Sequence, residues 1–271
     1  MARPLVFLSD YGLDDEFVGV VHRVIAGEAP GVKVVDLAHR IPAHDVRAGA
    51  LMLWRVAPWL PGSVVLGVVD PGVGTARRGV AVEVAGADVV LVGPDNGLLT
   101  PAAHALGGPT AAVELRPVPS RVAGAGATFD GRDLFAPAAA RLASGEWSLP
   151  DLGEPLDPAG LEGGEVTMAS AGPAGEVMCE VLWIDVFGNA QLNTDGSGLG
   201  EVVQVEIGSR VVEARRVAAF GELRAGEPGL LTDSYGLLAL ALNGAPAASQ
   251  LGVGEGDVVR LSTGRRAEER R

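Results

Sequence analysis

The sequence predicts an α/β protein: an N-terminal α/β domain with a largely parallel sheet, followed by a smaller domain made mostly of strands. Three observations carry this reading. The first half alternates short, β-branched apolar runs with longer segments of helical periodicity. A stretch rich in Gly, Pro and Ala then interrupts the pattern, and strand-like runs dominate after it. Near-continuous apolar runs suit strands covered on both faces, as in a parallel sheet flanked by helices.

Taken in order, the runs "PLVFLSD", "VKVVD", "VVLGVVD" and "VVLVGPD" read as strands, each ending in an acid: Asp10, Asp36, Asp70 and Asp95. "DDEFVGVVHRVIAGEAP" reads as a helix, with an acidic start and a stop at Gly and Pro. "HDVRAGALMLWRVAPWLPG" carries apolar residues at helical spacing until Pro58 and Pro61 end it. "GRDLFAPAAARLASG" reads as a third helix. Residues 1–151 therefore form the N-terminal domain and 152–175 a linker without periodicity. Residues 176–263 form the β domain, where "GEVVQVEIGSRVVEA" reads as a hairpin turning at Gly208 and Ser209. "GLLTDSYGLLALALNG" and "GDVVRLST" read as further strands, and 264–271 as a frayed tail.

Bulk properties narrow the function. The 271 residues include 48% hydrophobic residues, yet no apolar run approaches the ~18 residues of a membrane span. The N-terminus is too short in apolar residues for a secretory leader, so the expectation is a cytoplasmic protein without a membrane partner. A net charge of −13 argues against nucleic acid as a partner, because phosphate binding needs basic surface. It is compatible with a cationic small molecule. The single cysteine, Cys179, reads as a small buried hydrophobe.

Ligands of open parallel sheets bind beyond the carboxyl ends of the strands, where these acids would lie. No phosphate-binding loop of the GxxxxGK[ST] or GxGxxG type is present. Acids at strand ends suit a divalent metal, ribose hydroxyls or an organic cation. His22, His39, His44 and His104 show neither HxH nor HExxH spacing, so no metal site is assigned. His22 falls in a helical run as a packed or surface residue, and His44 precedes a helix start. In "VVDPGVGTARRGVAV" a compact loop could fold an arginine back over Asp70. Adjacent strand residues face opposite ways, so at most one of Arg77 and Arg78 should point at the site, and the other should be a surface arginine.

Together "LSDYGLDDEFVG", "VVDPGVGTARRGVAV", "VGPDNGLLT", "TFDGRDLFAPAAA", "IDVFGNAQLN" and "DSYGLLALALNG" resemble the S-adenosyl-L-methionine (SAM) hydrolase family, also called SAM hydroxide adenosyltransferases. These are relatives of the fluorinase and chlorinase, which use halide in place of water. The resemblance implies a C-terminal domain that is β-barrel-like. It also implies a homotrimer with active sites between the N-terminal domain of one subunit and the C-terminal domain of the next. SAM would be the substrate, adenosine and L-methionine the products, and no metal or other cofactor would be required.

The resemblance also implies residue roles. Asp70 and Arg77 match the family's water-handling pair, whereas halogenases typically carry a tyrosine at the position of Asp70. Asp10 would hold the ribose hydroxyls. Phe129 joins the substrate-binding set. Asp185, Phe187 and Asn189 would bind the methionine end and the adenine, with Phe187 and Phe220 offering ring faces. Ser234 and Tyr235 would receive the methionine carboxylate. The motif "TFDGRD" departs from the family's usual "TFHGRD": Asp130 stands where a catalytic histidine is expected. Two alternatives to hydrolysis follow. One is a halogenase, for which Gly131 could leave room for a large halide. The other is a sensor that binds SAM or adenosine without turnover. A metal-dependent hydrolase built on the Asp cluster would be exposed by sensitivity to EDTA.

Overall fold

The computed structural model describes residues 2–117 and 126–263. The chain divides into two compact units, Met1–Val166 and Thr167–Arg271. The expected frayed tail at 264–271 lies outside the described residues.

The first unit opens with β1 (Leu5–Ser9), α1 (Phe17–Glu28), β2 (Val34–Ala38) and α2 (Val46–Val56). It continues with β3 (Val64–Val68), β4 (Gly79–Val84), β5 (Val89–Pro94), α3 (Thr100–Ala105) and β6 (Pro109–Leu115). It ends with α4 (Ala136–Ser144), α5 (Leu149–Leu152) and β7 (Gly153–Leu156). The seven strands form one sheet in the order β2-β1-β3-β5-β4-β6-β7. β1 pairs in parallel with β2 and β3, and β3 with β5. β4 runs against both β5 and β6, and β7 against β6. All strands but β4 and β7 thus share one direction, and their carboxyl ends lie along one edge.

Helices cover both faces of this sheet. Phe7 of β1 and Leu66 of β3 pack with Val21 and Ile25 of α1 and with the alanine-rich face of α4. Those two α1 residues are four apart, the spacing that places side chains on one helical face. On the opposite face Gly67 has no side chain, and Leu53 of α2 and Leu98 fill the space a Cβ would meet. Fully buried residues of this kind each contribute roughly 1.5–3 kcal/mol relative to exposure. Asp45 caps α2, its carboxylate accepting the Ala48 N–H at 2.8 Å.

Three sequence expectations are corrected here. Asp36 does not end its strand: β2 continues to Ala38, and Asp36 pairs in register with Phe7. An acid is tolerated there because β2 is an edge strand with a largely solvated surface. The expected linker at 152–175 begins as structure: Gly153–Leu156 adds β7 to the sheet edge. Its Gly and Pro content hides an edge strand, where a missing backbone donor costs little. The segment "GRDLFAPAAARLASG" is not one uniform helix either. Gly131–Phe135 forms a π-helical turn, closed by the Ala136 N–H donating to the Gly131 carbonyl, before α4 begins. Such turns occur frequently at functional sites.

The second unit is a closed barrel in the order β10-β11-β12-β13-β9-β8-β14. Its strands are β8 (Val177–Ile184), β9 (Ala190–Leu192), β10 (Val202–Ile207), β11 (Arg210–Arg216), β12 (Pro228–Thr232), β13 (Leu238–Leu242) and β14 (Val258–Thr263). The expected hairpin joins β10 to β11, with Ile207 paired to Arg210. β14 closes the barrel by pairing with both β10 and β8. A short helix α6 (Ala247–Leu251) adds Ala247, Ala248 and Leu251 to the apolar core. Cys179 is buried in this core, its thiol donates to the Val259 carbonyl, and burial pushes its pKa up to about 12. That thiol is inert. Among the described residues, no helix is long and apolar enough to cross a membrane.

Candidate active site

Three strand-end acids meet the chemistry differently. β3 delivers Asp70 to the sheet edge, where the loop "PGVGT" folds tightly: the Thr75 N–H and hydroxyl both donate to the Gly72 carbonyl, at 3.1 and 2.6 Å. This turn brings Arg77 back over Asp70. Arg77 Nε donates to Asp70 Oδ1 at 3.0 Å and Nη2 to Oδ2 at 2.5 Å, a bidentate fork. The same Nη2 donates to Asp130 Oδ2 at 2.7 Å. The side chains of Asp70 and Arg77 are only 6% and 9% exposed, while Asp130, at 24%, opens to the cleft. Arg77 also lies over the Phe135 ring, 5.2 Å from its centroid. Here Asp130 points toward Arg77 rather than away.

Arg78 is not the bland surface arginine expected. Its Nε donates to Asp95 at 2.9 Å, and its Nη2 to Asp95 and, at 2.8 Å, to the Gly160 carbonyl. Asp95 is buried and also accepts the Glu162 N–H at 2.9 Å. This strand-end acid therefore pins down a peripheral segment. The alternation of Arg77 and Arg78 is the one expected of adjacent strand-like residues.

Sequence reasoning passes over Tyr11. Its only signal is that it follows Asp10 at the end of β1. Its ring packs with Phe17 and Phe129, at centroid distances of 5.6 and 5.5 Å. Burial, reinforced by the charges of Asp10, Asp70 and Asp130, pushes its phenol far above the usual range. The hydroxyl thus stays protonated and can donate. It also fills the space beside Gly131: a Cβ there would lie 1.9 Å from the phenol oxygen. The room for a halide read from Gly131 is therefore occupied by Tyr11. Asp10 Oδ2 accepts the His44 N–H at 2.9 Å, and His44 holds a positive φ of 66° to present it.

Burial is the largest influence on Asp70, and it raises the carboxyl above its ordinary value. The Asp130 charge pushes the same way, while the charge and hydrogen bonds of Arg77 oppose both. The cluster of Asp70, Asp130 and Arg77 carries more negative than positive charge, which suits a cationic ligand. A cleft of about 400 Å³ opens beside Arg77, Asp130 and Leu134.

In the second unit Asp185 organises a turn. Its Oδ1 accepts the N–H groups of Phe187 and Asn189, each at 2.9 Å, and its Oδ2 accepts Asn189 Nδ2 at 2.8 Å. The turn leaves Phe187 75% exposed. Phe187, Asn189 and Phe220 line one cleft of about 460 Å³. Ser234 and Tyr235 lie on the exposed β12–β13 turn instead and do not line it. That turn is held by Asp233, whose Oδ1 accepts the Tyr235 and Leu237 N–H groups at 2.8 and 3.0 Å. The structure thus groups Asp10, Asp70, Arg77, Phe129 and Asp130 in one unit, and Asp185, Phe187, Asn189 and Phe220 in the other.

Residues 5–153 match the SAM hydroxide adenosyltransferase N-terminal domain, and residues 179–260 match its C-terminal domain. The chain is 46% identical over 258 residues to an (R)-S-adenosyl-L-methionine hydrolase of Salinispora tropica, covering 95% of this chain and 97% of that one. A protein of the same name from Thermus thermophilus is 46% identical over 276 residues, covering 96% and 99%. A fluorinase of Actinopolyspora mzabensis is 27% identical over 303 residues, covering 96% and 98%. An uncharacterized conserved protein of Thermotoga maritima has a similar structure, with a TM-score of 0.85 and 32% identity over 95% of this chain and 99% of that one. With both domain matches in order and such identity over nearly the whole length, the chain belongs to the SAM hydroxide adenosyltransferase family.

Proposed function

We propose that the protein hydrolyses S-adenosyl-L-methionine to adenosine and L-methionine by in-line attack of water on C5′. The observation that carries this reading is the Asp70–Arg77–Asp130 cluster at the sheet edge of a chain of this family. Relatives named hydrolase share 46% of their residues with it, while the fluorinase relative shares 27%.

The chemistry follows from the substrate. Methionine leaves as a neutral thioether, so neither a leaving-group acid nor a metal is needed. The enzyme must place water opposite sulfur and shield it from bulk solvent. Asp70 is the base that takes the proton from this water. Its raised proton affinity brings it closer to the working pH of a general base. Arg77 fixes the Asp70 carboxylate through its fork and stabilises the developing hydroxide. Asp130, on the same guanidinium, takes the place of the family's usual histidine as an acceptor for water. The net negative cluster favours the sulfonium.

Asp10 and Phe129 contact the nucleoside in this reading. Asp185, Phe187, Asn189, Phe220, Ser234 and Tyr235 hold the adenine and the amino-acid end. The working assembly is a homotrimer with interfacial sites, and the compartment is the cytoplasm. One experiment tests the reaction. The purified protein is incubated with SAM in oxygen-18 water, with and without chloride or fluoride, and the nucleoside is weighed by mass spectrometry. Adenosine carrying the label at its 5′ oxygen supports hydrolysis. A halogenated deoxyadenosine points to a halogenase, and tight SAM binding without product points to a sensor.

A further inference from the structure

We infer that His22, Asp36 and His39 form a binding site for one divalent transition-metal ion of the zinc class. The three come from separate places: His22 from α1, Asp36 from the middle of β2, and His39 from just past the end of β2. Folding brings one donor atom of each within 4.8 Å of the others. His22 Nε2 lies 2.8 Å and His39 Nε2 3.0 Å from the same Asp36 oxygen, Oδ1.

His39 supplies the second, independent observation. Its side chain is 4% exposed, yet its Nε2 has no aligned hydrogen-bond partner despite the nearby carboxylate. A buried polar atom without a proper partner carries an appreciable desolvation cost, which a metal ion would remove. The other ring nitrogen, Nδ1, shares a hydrogen bond with the buried Ser9 hydroxyl at 2.8 Å. With the proton on Nδ1 donated to Ser9, Nε2 presents its lone pair to the ion. The Ser9 hydroxyl can accept that proton, an arrangement like the outer-shell partners of histidine metal ligands. The Phe7 ring packs 4.5 Å from the His39 ring and 6.1 Å from the His22 ring, between centroids, as an apolar floor beneath the donors.

The donor set selects the ion. Two imidazoles and one carboxylate suit zinc and its neighbours rather than magnesium or calcium, which prefer all-oxygen shells. Zinc–nitrogen bonds of about 2.0–2.1 Å in a tetrahedral shell place donors about 3.4 Å apart, so the ligands must spread by about half an ångström. Asp36 and His22 are partly exposed and free to do so, and their open side leaves the fourth position to water. The site stands outside the proposed reaction and does not rest on it. It is nevertheless linked to the active-site edge, because the His39 carbonyl accepts the Gly12 N–H at 2.7 Å, next to Tyr11.

The test uses the full, untagged chain stripped of metal and titrated with cobalt(II), followed by visible absorption and then by zinc competition. A single saturable equivalent with the absorption of a four- or five-coordinate site, displaced by zinc, is the expected result. Zinc should also raise the unfolding temperature. His22→Ala and Asp36→Asn, both at partly exposed positions, should each weaken cobalt binding at least about tenfold, while His104→Ala should not change it. Absence of saturable absorption, or binding undiminished in both His22→Ala and Asp36→Asn, overturns the site. The readout is binding and stability, so failure here leaves the hydrolase reading untouched.

Discussion

Gly131 and the Tyr11 hydroxyl occupy adjoining space so closely that a Cβ on residue 131 would lie 1.9 Å from the phenol oxygen. The missing side chain at the start of the π-helical turn is therefore what lets Tyr11 reach the Asp70–Asp130 cluster. Gly131→Ala should cost about 1–3 kcal/mol of stability through overpacking, read from urea unfolding. It should also lower the hydrolysis rate by displacing Tyr11. Tyr11→Phe removes the clashing oxygen, so the double variant should be more stable than the two single losses predict, by about 0.5–3 kcal/mol. Strict additivity would show that the two residues do not compete for this space.

Asp70 should be the residue whose loss hurts chemistry most while sparing binding. Asp70→Asn keeps the shape but cannot take a proton. Turnover should fall about 10²–10⁴-fold, the range that one general base supplies. SAM affinity measured by calorimetry should change little. Asp70→Asn or Asp70→Ala that hydrolysed SAM at the parent rate would remove Asp70 from the mechanism.

Asp130→Asn tests the electrostatics. Burial raises the Asp70 carboxyl, and the Asp130 charge adds to that effect. If Asp70 is the base, hydrolysis needs it ionised, and the rate should rise with pH through the Asp70 titration. Removing the neighbouring negative charge makes Asp70 easier to ionise. The acid limb of the pH–rate profile should therefore move to lower pH in Asp130→Asn. A shift to higher pH would contradict the placement of the two carboxylates on one guanidinium.

Arg77→Ala leaves Asp70 buried without its partner. Breaking such a pair typically costs about 3–5 kcal/mol. The loss should shrink on acidification, because a protonated Asp70 no longer needs the guanidinium. Arg77→Lys keeps the charge but cannot hold Asp70 by two parallel bonds while reaching Asp130. It should recover much of the stability and little of the rate, a contrast visible when thermal unfolding and adenosine release are measured on the same preparations.

The fold was largely legible because two periodicities dominate this chain. Buried β-branched runs marked β1, β3 and β5, and the Gly208–Ser209 turn marked the β10–β11 hairpin. That an arginine folds back over Asp70 was legible because a compact turn links them, a local constraint, but spacing left Arg77 and Arg78 open and the resemblance to the family singled out Arg77. What was not legible depends on distant contacts. β7 exists because β6 offers it an edge. Arg78 is fixed by Asp95, which a tertiary pairing brings to it. Tyr11 meets Gly131 across the fold, and His22 and His39 meet at the Asp36 carboxylate. None of these leaves a spacing that one sequence reveals.

Gly188 offers a test in the second unit. It sits at a φ of 83°, and a Cβ there would lie 2.5 Å from Pro246 Cβ and 2.7 Å from its Cα. Its carbonyl also accepts the Ala248 N–H at 2.9 Å, at the start of α6. Gly188→Ala should therefore cost about 1–3 kcal/mol, from backbone strain and from contact with a rigid proline. The turn it distorts carries Phe187 and Asn189, held by Asp185. The residues proposed to handle water, Asp70 and Arg77, belong to the other unit. If Phe187 and Asn189 bind substrate, the variant should raise KM for SAM more than it lowers kcat, because binding is weakened while the water-activating fork is intact. A fall in kcat at unchanged KM would instead detach this turn from substrate binding.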